Sequence, residues 1–272
     1  MKKMIFSTGL AFCTLTCSYS ADAQEIDSLP AVSDTVHFIY PAPSGKVPGR
    51  FQTTVTGLVV PAAMIGYGVL ALNNPTLRDL NSTTKAEIKE DHPGFHTHID
   101  NYLQYTPVAA VYILNAAGIH GKHNLRDRTI LLGISAVLTA GTVEIVKNKT
   151  HEERPDHSDY LSFPSGHTAS AFAAAEYLRQ EYKDVSPWYG VAGYLAATTT
   201  GALRMYNNRH WLSDVVAGAG VGILSTKAAY WVYPLLQRKL LNTSAGAADK
   251  VIMPYYNPQF HSAGISFIFF PR

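Results

Sequence analysis

Apolar residues fall in six runs, at roughly 55–72, 105–119, 129–147, 165–180, 189–206 and 213–233. Each is long enough for a helix, and none shows the period-two alternation of a half-buried strand. The runs are rich in Ala, Gly, Val and Leu, and polar stretches such as "NNPTLRDLNSTTKAEIKEDHPGFHTHID" and "HGKHNLRDR" divide them. This pattern predicts an all-α fold, a six-helix bundle over residues 55–240, with no internal repeat. Before it lies a Pro-punctuated lead, 24–54. After it comes a tail, 241–272, whose last part "PYYNPQFHSAGISFIFFPR" predicts one short strand or an irregular segment.

The first 23 residues change the picture. A basic start, an apolar stretch from Met4 to about Cys17 and the Ala21-Asp22-Ala23 triplet have the form of a secretory signal cleaved before Gln24. Acylation at Cys17 is the weaker alternative, because Thr16 stands where a smaller residue is usual. Both cysteines, Cys13 and Cys17, fall inside this segment, so a cleaved chain would have neither disulfides nor thiolate metal ligands. The length of 272 residues, 47% hydrophobic and 15% charged, suits one domain with one sizeable core. A net charge of +2 without a dense Lys/Arg run excludes a nucleic-acid surface.

Three polar islands interrupt the later runs, and each concentrates residue types that bind or attack a phosphate. In "KNKTHEERP", Lys147 closes the third run and Arg154-Pro155 follows after six residues. In "SFPSGHTAS", Pro164 and Ser165 mark a helix start, so the backbone N–H groups of Ser165, Gly166 and His167 are placed to meet an anion, and Gly166 lets it approach closely. In "LRMYNNRHWLSD", His210 and Asp214 are four residues apart and share a face if helical, where the carboxylate can orient the imidazole; Arg204 stands upstream. Singly, each island has an ordinary explanation: a cation at a helix C-terminus, a serine N-cap, a surface ion pair. Three cations, two histidines and a carboxylate at three consecutive junctions on one end of a bundle do not.

The islands resemble the three motifs of the type 2 phosphatidic acid phosphatases, whose superfamily also holds bacterial class A acid phosphatases and vanadium haloperoxidases. Those motifs, K-x6-RP, PSGH and SR-x5-H-x3-D, stand here as Lys147 to Arg154-Pro155, Pro164 to His167, and Arg204 to His210 to Asp214. One departure is visible: Leu203 replaces the serine before the third-motif arginine, so any bond that serine makes to the phosphate is lost or replaced. The resemblance implies that Lys147, Arg154 and Arg204 clamp the phosphoryl oxygens together with Ser165 and Gly166. It also implies that His210 is the nucleophile, Asp214 holds its other nitrogen, and His167 serves as acid and then base.

Such a site needs no metal or other cofactor, because three cations supply the charge; vanadate would enter only if the chain were a haloperoxidase. His96, His98 and Asp100 in "HPGFHTHID" have ligand-like spacing but no partner cluster, and are read as a solvated or capping loop. His151 and His157 are read as solvated loop residues, Glu152 and Glu153 as offsetting local positive charge, and Glu144 and Glu176 as polar contacts within the bundle.

The expected partner is a phosphorylated lipid or small phosphate ester at a membrane. Lipid A, undecaprenyl diphosphate and phosphatidate types are the candidate classes, and oligomeric state is left open. Alternatives are a soluble periplasmic nonspecific acid phosphatase, a haloperoxidase, or a non-catalytic binder of anionic lipids. A cleaved signal followed by six spans would put the site in the cytoplasm. The Lys/Arg clusters in "HGKHNLRDR" and "LLQRKLLN" favour the cytoplasm themselves and put the site outside. The two agree if the domain is soluble, if one run does not span, or if the leader is not a true signal. The expectation kept is an exported cell-envelope protein, membrane-integral or membrane-associated, with its site facing the periplasm.

Overall fold

A computed structural model describes residues 55–237, 250–257 and 262–269. The expected signal segment 1–23, the acylation site, the 24–54 lead and the rest of the tail lie outside the described residues.

The six apolar runs become helices α1 (Val55–Ala71), α4 (Thr106–Ala116), α5 (Leu125–Thr150), α6 (Gly166–Tyr182), α7 (Pro187–Tyr206) and α8 (Leu212–Leu236). The polar connector is also helical, which corrects the six-helix expectation. It forms α2 (Pro75–Asp91) and the short α3 (Ile99–Leu103). Local chemistry starts α2: the Asn74 side chain caps the Leu77 N–H at 3.2 Å and proline opens the first turn. α2 lacks an apolar stripe because its buried anchor is polar. Asn81 donates to Ser213 Oγ at 2.9 Å and accepts the Ser213 N–H at 3.1 Å. The tail holds two strands where one at most was expected, β1 (Lys250–Asn257) and β2 (Ser262–Phe269), paired antiparallel with Lys250 opposite Phe269.

α6 is the central helix, packed against α4, α5, α7 and α8. Its buried face includes Ala169, Ala171, Ala173, Ala174 and Ala175, small enough for neighbouring backbones to come close. α8 answers with glycine: a Cβ on Gly222 would stand 2.1 Å from the Ala169 carbonyl oxygen, a backbone atom that cannot swing away. Away from the N-terminus of α6, the core is rich in tyrosine, with Tyr177, Tyr182 and Tyr230 around Val111 and Leu131. Burial there is tolerated because the hydroxyls are bonded. Tyr177 donates to the Arg128 carbonyl and Tyr182 to that of Val111, each at 3.0 Å.

Among the described residues, α5 and α8 are long and apolar enough to cross a membrane, and α1 with α2, bent by 94°, would make a third span. α5 presents Val137 and Ile145 outward, 72% and 60% exposed, as a lipid-facing helix would. α8 is the more enclosed of the two, packed between α1, α5 and α6.

Candidate active site

Two loops and two helix starts assemble at the end of the bundle where α5 and α7 finish and α6 and α8 begin. Lys147 lies on the last turn of α5. His151 then adopts left-handed backbone (φ 49°), ending the helix and turning the chain into the loop that carries Arg154. Lys147 Nζ donates to the Leu161 carbonyl, which Arg154 Nη2 also reaches at 3.5 Å, so the two cations of the first island share one acceptor. Arg154 Nε is fixed by Asp159 Oδ1 at 2.7 Å, and its Nη1 donates to the Arg209 carbonyl at 3.3 Å.

α6 begins as expected, with Ser165 as N-cap. Its Oγ accepts the Thr168 N–H at 3.4 Å and lies 2.8 Å from Thr168 Oγ1. The Ser165 N–H is not free for an anion, since it donates to the Asp214 carbonyl at 3.0 Å. Gly166 and His167 therefore head the helix as the remaining first-turn amides. A Cβ on Gly166 would meet Val143 and Lys147 at ordinary contact distances, 3.6 and 4.0 Å, so no protein neighbour demands glycine there.

The third island differs from the shared helical face expected for His210 and Asp214. Arg204 ends α7, left-handed Asn208 (φ 57°) reverses the chain, His210 follows in the loop, and Asp214 sits in the first turn of α8. Asp214 Oδ2 accepts from the Trp211 N–H at 2.9 Å and from Ser162 Oγ at 2.5 Å, and lies 3.5 Å from His210 Nδ1. Ser162 Oγ is also 3.5 Å from that nitrogen. On the other side of the ring, Arg154 Nη1 approaches His210 Nε2 at 3.5 Å. Guanidinium only donates, so this geometry belongs to a ring with its lone pair on Nε2 and its proton on Nδ1. Burial first, then the charges of Arg204, Lys147 and Arg154, hold His210 well below the ordinary histidine value, so the imidazole is neutral at pH 7.

Sequence reasoning missed α3. Its Asp100, 1% exposed, accepts from Arg204 Nη1 at 2.6 Å, and Asn101 Oδ1 lies 2.9 Å from His167 Nε2. "HPGFHTHID" is thus not a loop apart from the site. His96, His98, Asp100 and Asn101 line a cavity of about 260 Å³ together with Arg154, Asp159, Arg204 and Arg209. Burial raises the Asp100 carboxyl, but the hydrogen bond and charge of Arg204 outweigh it and keep it ionised. His167 is pushed down to about 4, by burial first and then by Arg204, with Asp100 opposing. Buried Asp100 Oδ1, Arg204 Nε and Asp214 Oδ1 have no hydrogen-bond partner among the described residues. Ser162 and Asp159 were also missed; both stand in the loop between the first two motifs, where no periodicity marks them.

The three motifs thus meet at one end of the helices, with His210 Nε2 beside Arg154 and His167 Nε2 beside Asn101. Residues 128–238 match the PAP2 superfamily. The lipid A 1-phosphatase of Porphyromonas gingivalis is 42% identical over 168 residues, covering 59% of this chain and 38% of that protein's length. Two solved structures are loosely similar. A transmembrane PAP2 type phosphatidylglycerolphosphate phosphatase from Bacillus subtilis has a TM-score of 0.49 at 15% identity, covering 66% of this chain and 97% of that one. Aquifex aeolicus LpxE has a TM-score of 0.41 at 20% identity, covering 53% and 92%.

Proposed function

We propose that the protein is a metal-independent phosphatase of envelope lipid phosphates, working through a phosphohistidine. The observation that carries this reading is the His210 ring, with Nδ1 turned to Asp214 and Ser162 and the Nε2 lone pair turned to Arg154. Lys147, Arg154 and Arg204 hold the phosphoryl oxygens, aided by the amides of Gly166 and His167. Ser165 joins if its hydroxyl rotates out of the first turn. His210 Nε2 attacks phosphorus, the bond to the leaving oxygen breaks, and protonated His167 gives that oxygen its proton. Asp214 stabilises the Nδ1–H as positive charge develops on the ring. In the second half, His167 takes a proton from water, the hydroxide attacks phosphorus, the P–N bond breaks and inorganic phosphate leaves.

The substrate class is a lipid monophosphate or diphosphate, and the 42% identity to a lipid A 1-phosphatase favours a glycolipid 1-phosphate. Membrane association is supported by α5 and α8. The Lys/Arg stretch before α5 lies at the helix end opposite the site; if it faces the cytoplasm, the site faces the periplasm.

The test is phosphate release in EDTA from a lipid diphosphate, a lipid monophosphate and an aryl phosphate, comparing wild type with His210→Ala. Release that the substitution abolishes supports the reading, and the ratio of lipid to aryl turnover separates a lipid enzyme from a general acid phosphatase. No release by folded protein sinks it in favour of a haloperoxidase, assayed with vanadate and halide, or a binding role.

A further inference from the structure

The side-chain amide of Asn101 bonds the ring that the proposed chemistry uses as acid and base, from outside the segment that matches the superfamily. Its Oδ1 is a carbonyl oxygen and can only accept, so the His167 nitrogen 2.9 Å away, Nε2, carries a proton. A ring pinned in this way has Nδ1 as its exchangeable nitrogen. At His210 the arrangement is inverted: Nε2 faces Arg154 as the lone pair, and Nδ1 faces the carboxylate.

The element that carries Asn101 is itself held. α3 has five residues, too short to place a side chain by its own stability. Asp100 beside it is buried and joined to Arg204 at 2.6 Å, and Thr97 just upstream exchanges two 2.9 Å hydrogen bonds with Asn207. Both anchors lie at the end of α7, next to the site.

We propose that Asn101 is a positioning residue. It holds His167 with the proton on Nε2, so that Nδ1 gives the proton to the leaving oxygen and later takes one from water. The proposal rests on the phosphatase reading for its consequences but not for its geometry. A neutral amide suits the task because the ring already sits among Arg204, Arg154 and Lys147, with Asp100 as the facing carboxylate and His210 nearby. An acceptor without charge selects the tautomer while leaving the balance of charge to the substrate.

Two measurements on the full chain in detergent test this. The first is ¹⁵N spectroscopy of histidine-labelled protein, with the His167 signal assigned through His167→Gln. Wild type is expected to show Nε2 protonated, and Asn101→Ala to shift toward the other tautomer. The second compares kcat for an alkyl phosphate, whose leaving oxygen needs a proton, with kcat for a nitrophenyl phosphate, whose leaving oxygen does not. Asn101→Ala is expected to lower the first about 30-fold, part of the 10²–10⁴ that a positioned acid supplies, and the second less than about threefold. Asn101→Asp keeps an accepting oxygen, so it should restore the alkyl-to-aryl ratio and move the basic limb of the kcat profile upward by adding a second carboxylate. An unchanged tautomer in Asn101→Ala, or equal losses on both substrates, overturns the proposal. Wild type inactive on both phosphates overturns the phosphatase reading instead, and the spectrum then decides Asn101 by itself.

Discussion

Both ends of α6 bury ionic groups, but the two ends are wired differently. At 1.5 Å per residue, Glu176 and Glu181 lie about 15 and 22 Å along the helix from Gly166. There each carboxylate is saturated by donors. Glu176 takes Arg179 at 2.6 and 2.7 Å, Gln180 at 2.7 Å, Tyr194 at 2.5 Å and Lys227 at 2.9 Å. Glu181 takes His123 Nδ1 at 2.7 Å, the His123 N–H at 3.1 Å, Arg128 at 3.3 Å and Tyr230 at 2.6 Å. At the site end the cations have fewer partners. Lys147 has a carbonyl, Arg154 and Arg204 each have one carboxylate oxygen, and buried Arg204 Nε has no partner among the described residues. Buried charge that is satisfied holds helices together; buried charge left wanting an anion holds a place for one.

The comparison breaks most visibly if activity survives at the wrong end. His210→Ala removes the proposed nucleophile, and turnover of a lipid phosphate should fall on the order of 10⁴-fold or more, with a melting temperature close to wild type. Glu176→Ala should do the reverse. It strands Arg179 and Lys227 without their carboxylate, which costs about 3–5 kcal/mol, or a drop of roughly 10 °C in melting temperature. Turnover per folded molecule should stay within about twofold of wild type. Glu176→Ala protein with wild-type stability and lost turnover would mean that the two ends are not separate devices.

How far the sequence reaches follows the same division. The residues from Lys147 to Asp214 were legible because the phosphate chemistry proposed for them fixes residue type and spacing together, and because each island sits at the edge of an apolar run. All eight chosen residues gather at one end of the bundle, although Ser165 spends its N–H and hydroxyl on the protein and His210 stands outside the helix that holds Asp214. α2 and α3 were not legible as helices, since the periodicity argument looks for apolar stripes and α2 anchors through Asn81. Asp100 and Asn101 were illegible for a different reason: their partners are 104 and 66 residues away in the chain, and no local pattern announces a tertiary ion pair. In the connector, spacing marked His96, His98 and Asp100 together as a loop, and of these Asp100, with its neighbour Asn101, is what bonds to the motif side chains.

Ser162 sharpens the comparison at smaller scale. Its hydroxyl occupies Asp214 Oδ2 at 2.5 Å and competes for the oxygen that orients His210. Ser162→Ala should change kcat by about tenfold or less, the value of one hydrogen bond to a charged group, while KM stays put because no bound oxygen loses a donor. A change confined to KM would place Ser162 among the phosphate ligands instead.

The smallest effect expected is a difference in proton uptake. His167 titrates near 4 when the site is empty, against about 6.5 in an unfolded chain. Between those values the unfolded chain binds the proton and the folded one does not, so this histidine makes stability fall as pH drops from about 6.5 to about 4. Above that window the penalty is absent, and below it the penalty is complete. His210, also held down, adds a slope of the same sign. A phosphate dianion bound beside Lys147, Arg154 and Arg204 cancels the repulsion that lowers His167, so its value should rise toward the ordinary one. Calorimetry of inorganic phosphate binding at pH 5.5 in buffers of different ionisation enthalpy should then show wild type taking up part of one proton more than His167→Gln, with the proton that phosphate itself releases common to both. Uptake unchanged by that substitution would assign the proton to phosphate or His210. It would also leave His167 neutral at the moment the leaving oxygen needs its proton, against the acid role given to it here.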